Sequence, residues 1–176
     1  MTTYETIWDF AEDHHGIITT TQAVAMGIDK HLLPAMAKRG TLIKKGHGVY
    51  LAKHHIPREN DVYAHSVAIV GKTAYLRSAS VVALLKLAPT NPGIVYVGAT
   101  TRVRRRLPHG LRLVDMRPCK CICYDGIQSQ PLDEALRDAR NEGAIEADRI
   151  VDAATVALER GLISNAKAAE FLKGEK

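Results

Sequence analysis

Between Tyr4 and Leu51 three helical patterns are followed at once by two apolar runs around a basic, glycine-bearing turn, and this order restricts the fold more than any other feature. From Tyr4 to His14, Ile7, Trp8, Phe10 and Ala11 recur three or four residues apart, opposite Glu5, Asp9, Glu12 and Asp13. That spacing predicts an amphipathic helix ending at Gly16. Ile17 and Ile18 form a short apolar pair. The hydroxyls of Thr19 to Thr21 can then cap a short helix running from Gln22 to Met26. Gly27 supplies a turn, and Asp29 is the expected N-cap of a third helix whose inner face is Leu32, Leu33, Met36 and Ala37 and which stops at Gly40. Thr41 to Leu51 reads as a β-hairpin around Lys44, Lys45, Gly46, His47 and Gly48. Helix, helix-turn-helix and hairpin in that order predict a winged helix-turn-helix, which lays its third helix in the DNA major groove and its hairpin on the flanking backbone. Pro34 stands against a regular third helix, since an internal proline costs about 3 kcal/mol. A distorted first turn, or a helix starting nearer Leu32, is therefore expected.

The polar, proline-bearing stretch from Lys53 to Asn60 reads as a linker and sets an expected boundary near residue 57. Residues 58–176 then form a small mixed α/β domain. Helices are expected over Glu59–Val70 and from Ser78 or Ser80 to Leu87, and strands over Ile94–Val97, Leu111–Met116 and Cys119–Tyr124. The chain ends in helices at Leu132–Asn141, Ile145–Arg160 and Asn165–Leu172. The expected class is thus α+β, with residues 1–57 as the winged helix and 58–176 as a mixed domain ending in helices. The chain has 176 residues and is 46% apolar, enough for packed interiors, yet no run approaches the roughly 20 apolar residues of a membrane span. Met1 to Phe10 lacks the basic start and apolar core of a signal peptide, so a cytoplasmic protein is expected.

The net charge of +5 is unevenly distributed: +2 over residues 1–58, +6 over 59–117 and -3 over 118–176. Such asymmetry suits a polyanion partner for the first two thirds, or a soluble protein with an uneven surface. Candidate DNA contacts are Thr21 and Gln22 on the second helix, Lys30, His31, Lys38 and Arg39 on or beside the third, and Lys44, Lys45 and His47 on the hairpin. Lysines there act as point charges on phosphates, whereas Arg39 and His31 have donors suited to base edges. The alternative is a winged helix whose basic face is merely solvated, as in a protein-binding module. Arg102, Arg104, Arg105, Arg106 and Arg112 form a second basic stretch. Three readings stand for it: a phosphate-contacting patch, a docking face for an acidic partner, or a loop kept soluble by charge.

Cys119, Cys121 and Cys123 alternate, so a continuous strand would turn all three thiols to one face. Their spacing is not that of a zinc site, and buried core positions are expected instead. No metal or cofactor is expected. Gly71-Lys72-Thr73 lacks the glycine that a phosphate-binding loop requires five positions earlier, where Ser66 stands. No H-E-x-x-H, G-x-S-x-G or G-x-G-x-x-G occurs, and no Lys follows an acidic residue by two positions, as Mg²⁺ nucleases need. A non-enzyme is expected.

The run Gly16-Ile17-Ile18-Thr19-Thr20, with Gln22-Ala23, Met26-Gly27-Ile28, Leu33, Met36, Lys38-Arg39-Gly40, Leu42 and Gly48-Val49-Tyr50, resembles the AbiEi family of bacterial antitoxins from type IV toxin-antitoxin systems. More weakly, Ser78 to Leu84 and Ile94 to Val97 look like the start of that family's C-terminal domain. The resemblance implies a transcriptional autorepressor whose winged helix binds inverted repeats in double-stranded DNA of its own promoter, as a monomer or cooperative dimer. It further implies that the C-terminal domain counteracts a nucleotidyltransferase-like toxin, without need of a stable complex. The alternative is a winged-helix regulator or adaptor with no toxin partner.

Overall fold

A computed structural model describes residues 2–173. The chain divides into two compact units, residues 1–71 and 72–176. The first contains helix α1 (Thr3–Asp13), strand β1 (Ile17–Thr19), helices α2 (Thr20–Ala25) and α3 (Leu32–Lys38), strands β2 (Leu42–Gly46) and β3 (Val49–Ala52), and helix α4 (Asp61–Val70). This is the expected helix, helix-turn-helix and hairpin, with one strand more. The pair Ile17 and Ile18 is that strand: β1 runs antiparallel to β3, with Ile18 opposite Tyr50, giving the sheet order β1-β3-β2. Ile7, Ile18, Ala23, Ile28, Leu33, Met36, Leu42 and Tyr50 close a single core beneath the helices. Each large side chain among them contributes about 1.5–3 kcal/mol by leaving water.

Helix α4 also belongs to this unit and packs against β2, where Ile69 approaches the backbone of Gly46. The boundary therefore lies at residue 71, not near 57. The supposed linker is pinned at several points. His54 stacks on Trp8 with ring centroids 6.1 Å apart. The buried Asp61 carboxylate accepts hydrogen bonds from His55 Nε2 (2.6 Å), the Arg58 backbone N–H (2.8 Å) and His15 Nδ1 (3.2 Å). His65 Nε2 in turn bonds to the His15 carbonyl oxygen at 2.8 Å. The His55 ring lies so close to Gly16 that a Cβ there would fall 2.2 Å from its Cγ, and Gly16 also holds φ at +75°. Only glycine fits both requirements.

The second unit contains β4 (Ala74–Leu76), α5 (Ala79–Leu84), β5 (Val95–Ala99), β6 (Leu111–Val114), β7 (Ile122–Tyr124), β8 (Ile127–Ser129), α6 (Leu132–Asn141), α7 (Ala147–Glu159) and α8 (Asn165–Leu172). Its five strands lie in the order β6-β5-β4-β8-β7. Strand β5 runs antiparallel to β4 and parallel to β6, and β8 runs parallel to β4 and antiparallel to β7. The terminal helices follow the sequence expectation closely. Beneath them Arg77, fully buried, donates through Nη2 to Asp138 (2.9 Å) and Glu142 (2.5 Å). Gln130 and Arg117 also donate to Asp138, each at 2.8 Å. Burial by itself would raise the Asp138 carboxyl, but these three donors outweigh it and hold it below the ordinary carboxylate value.

The cysteines depart from expectation. The strand covers only Ile122–Tyr124, so Cys119 and Cys121 precede it in irregular backbone and are partly exposed, while Cys123 is exposed on the edge strand β7. Three thiols on one buried face are excluded. Burial, with the neighbouring Cys121 thiol, still pushes the Cys119 thiol up to about 12, so it is a poor nucleophile. Among the described residues no group of His, Cys, Asp or Glu is placed to hold a metal ion, and no helix is long and apolar enough to cross a membrane.

Acid should loosen the first unit in two stages. Burial holds His65 below its ordinary 6.5, favouring the neutral ring, so this contribution to stability starts to fall as pH drops below about 6.5. At Asp61 burial pushes upward, but the three hydrogen bonds prevail and set the carboxyl below 3.8. Its contribution is therefore complete above that value and is lost as pH falls through the lower folded one. Asp61→Asn is expected to cost about 2 kcal/mol at pH 7 and to make the second stage shallower. Urea unfolding followed through Trp8, the only tryptophan of the chain, reads this unit selectively.

Candidate nucleic-acid interface

The capping chemistry of α2 settles how the helix-turn-helix begins. The Thr19 hydroxyl accepts from the Gln22 backbone N–H, and Gln22 Oε1 accepts from the Thr19 N–H at 2.9 Å. This reciprocal box satisfies two donors that a helix start otherwise leaves unpaired. It also commits the Gln22 amide oxygen to the cap, whereas Thr21 is exposed. Asp29 does not cap α3. Its Oδ1 accepts from the His31 N–H (2.7 Å) and its carbonyl from the Leu32 N–H (3.0 Å), which shapes the turn ahead of the helix. His31 is the N-cap, and its side chain makes no capping bond.

Helix α3 therefore starts at Leu32, and Pro34 is its third residue. An N–H at that position has no partner within the helix, so the proline removes no bond from the ladder. Leu33 and Met36 are fully buried, and His31, Pro34 and Lys38 form the outward stripe. Lys30 is exposed in the preceding turn. Arg39, also exposed, donates from Nη1 to the Tyr4 hydroxyl at 2.8 Å, which draws its guanidinium toward α1. The outward face thus offers His31 and Lys38 as its polar groups, few for reading bases.

The wing is better furnished. Strands β2 and β3 pair with Lys44 opposite Tyr50, and the register shifts between Lys44 and Gly46. Lys44, Lys45 and His47 are all exposed. The turn at Gly48 needs φ of +68°, and its carbonyl accepts from the Thr20 N–H at 2.8 Å. That bond ties the wing turn to the first turn of α2. Thr20 and Gly48 are not among the expected site residues; the threonine run and the glycine of the hairpin turn are their sequence signals.

Arg102, Arg104, Arg105, Arg106 and Arg112 lie in the other unit, all exposed, the first four in irregular backbone between β5 and β6. Redrawing the boundary also redistributes charge. Residues 1–71 hold seven basic and seven acidic side chains, and residues 72–176 hold seventeen and twelve. Placement, not excess, is what makes the first unit's wing and third helix positive.

Residues 5–53 match the family described as transcriptional regulator, AbiEi antitoxin. The match runs from α1 through β3 and stops before α4. It contains every residue on which the sequence resemblance rests between Gly16 and Tyr50, and all the candidate contacts of the helix-turn-helix and wing. No curated protein matches the chain. The α+β class and the place of the family match, at the N-terminal end, agree with the sequence expectation.

Two substitutions separate backbone from packing in α3. Pro34→Ala is expected to change the unfolding free energy by less than about 1 kcal/mol. Leu33→Ala empties a fully buried position and is expected to cost about 2–5 kcal/mol. A large gain in stability from Pro34→Ala would place the proline inside the hydrogen-bonded ladder.

Proposed function

We propose that the chain is a DNA-binding antitoxin that represses its own transcription in a type IV toxin-antitoxin system and counteracts a nucleotidyltransferase-like toxin. The match of residues 5–53 to AbiEi antitoxin regulators carries this reading. The exposed Lys44, Lys45 and His47 on a wing tied to α2 support its DNA-binding half. In this reading α3 enters the major groove of inverted repeats in the protein's own promoter. His31 and Lys38 meet base edges or nearby phosphates, Lys30 and Arg39 flank them, and Thr21 meets the backbone beside α2. Gln22 acts mainly through its cap. The wing lysines neutralise phosphates and supply affinity common to all sequences. No step of catalysis is assigned, and the protein acts in the cytoplasm as a monomer or as a dimer that assembles cooperatively on DNA.

The balanced charge of residues 1–71 favours a second reading, a winged helix that docks a protein instead of DNA. Gel shifts decide between them. Antitoxin function predicts binding to the protein's own upstream DNA well above binding to random duplex at moderate salt. Equal binding to both sinks sequence-specific repression. Replacing Lys44 and Lys45 by Ala should weaken binding to every duplex and reduce the salt slope by about 0.9 for each lost phosphate contact. Co-expression with the adjacent open reading frame should rescue growth if that frame encodes the toxin.

A further inference from the structure

Arg39 is a surface cation held at both ends. It is the C-cap of α3, and its backbone N–H donates to the Ala35 carbonyl at 3.1 Å, so the helix fixes the base of the side chain. Tyr4 fixes the tip. This residue extends the inward stripe of Ile7 and Ala11 toward the start of α1, and its hydroxyl accepts from Arg39 Nη1 at 2.8 Å. The acid beside Tyr4 in the chain, Glu5, is committed elsewhere: its carboxylate accepts from the Thr2 N–H at 2.6 Å in the cap of α1. Among the described residues no carboxylate pairs with Arg39 and no second acceptor bonds its guanidinium, so Nε and Nη2 stay unengaged.

Which nitrogen the tyrosine takes decides what is left. The Nε–H and one Nη2–H of a guanidinium are parallel and form the fork that grips two oxygens of a carboxylate or phosphate. The second unit shows such a fork engaged: Arg137 donates from Nε and Nη2 to the two oxygens of Glu170, at 2.8 and 2.7 Å. Tyr4 occupies Nη1 and leaves the fork of Arg39 whole. An exposed hydrogen bond of this kind contributes little to folding, and its effect is to keep a long, rotamer-rich side chain in one place. The place suits a phosphate. His31, Pro34 and Lys38 form the outward stripe of α3, and Arg39 lies beyond it, at the helix end and against α1. When a recognition helix lies in the major groove, its C-terminal end meets the flanking sugar-phosphate strand.

We infer that Tyr4 is a positioning residue for DNA binding, which holds the Nε–Nη2 fork of Arg39 ready to clamp one backbone phosphate at the end of α3. The inference rests on the reading of the chain as a DNA-binding protein. It gives α1, outside the helix-turn-helix and the wing, a share in affinity for any duplex.

The test titrates the full chain with its own upstream DNA and with random duplex over a range of salt. Tyr4→Phe keeps the ring and removes the hydroxyl. It should weaken binding about three- to tenfold on both duplexes, since the long side chain must then be ordered during association. The salt slope should stay, because the charge remains. Arg39→Gln should make the slope less negative by about 0.9, and in that background Tyr4→Phe should have no further effect. Arg39→Lys should keep the slope but lose affinity, since an ammonium has no fork. The urea midpoint read through Trp8 should be the same with and without the Tyr4 hydroxyl. Unchanged or tighter binding by Tyr4→Phe overturns the inference, as does an equal loss in the Arg39→Gln background or a lowered midpoint. A loss confined to the upstream duplex would make Arg39 a reader of bases and overturn the phosphate clamp. Failure of the DNA-binding reading looks different: the unsubstituted chain would then bind neither duplex.

Discussion

A single carboxylate organises the first unit. Asp61 opens α4 and collects hydrogen bonds from His15, 46 residues earlier in the turn after α1, and from His55 and the Arg58 backbone, six and three residues before it. A buried carboxylate with fewer donors would protonate or draw in water. With three it remains charged and fastens the start of α4 to the turn after α1 and to the exit of β3. Strand β2, an edge strand carrying the basic wing, thereby gains a backing helix. The matched family span ends at residue 53, so this backing comes from chain that the family model does not include.

Local signals are legible wherever a short-range rule operates. Thr19 with Gln22, the stop at Gly40, the hairpin about Gly48 and the terminal helices each announce themselves within a few residues. Pro34 belongs with these, because only an interior proline breaks the ladder and this one stands in the first turn. What escaped depends on partners far along the chain. Ile17 and Ile18 are too short to declare a strand alone and become one by pairing with Tyr50 and Leu51. The segment from Lys53 to Asn60 has the composition of a linker, and nothing in it foretells that His54 will stack on Trp8 or that His55 will meet Asp61. Alternation suggested one buried face for the cysteines, but the strand begins only at Ile122, and alternation has no meaning in the irregular backbone before it. At the interface, sequence listed the positive groups but not their restraints: Gln22 is spent on a cap and Arg39 is drawn to Tyr4.

The two units handle charge in opposite ways. In the second, Arg77 and Arg117 converge on Asp138 with Gln130, so that basic groups serve as internal braces between the sheet and α6. A buried arrangement of this kind adds little net stability, yet removing one partner leaves another charge without compensation, which makes the pairing selective for one register. In the first unit the described Lys and Arg side chains stay outside, and the buried carboxylate is that of Asp61. Total charge consequently says little about either. The location of each boundary and each ion pair determines which basic groups remain at the surface.

The hydrogen bond between Thr20 and Gly48 has a kinetic meaning. A hairpin tip already tied to the neighbouring helix has few conformations to surrender when a surface closes over it, so the ordering cost is confined to the lysine and histidine side chains. A partner docking on such a prepared edge is captured at a rate set by encounter and charge. Differences among competing targets then appear in how long each one stays bound.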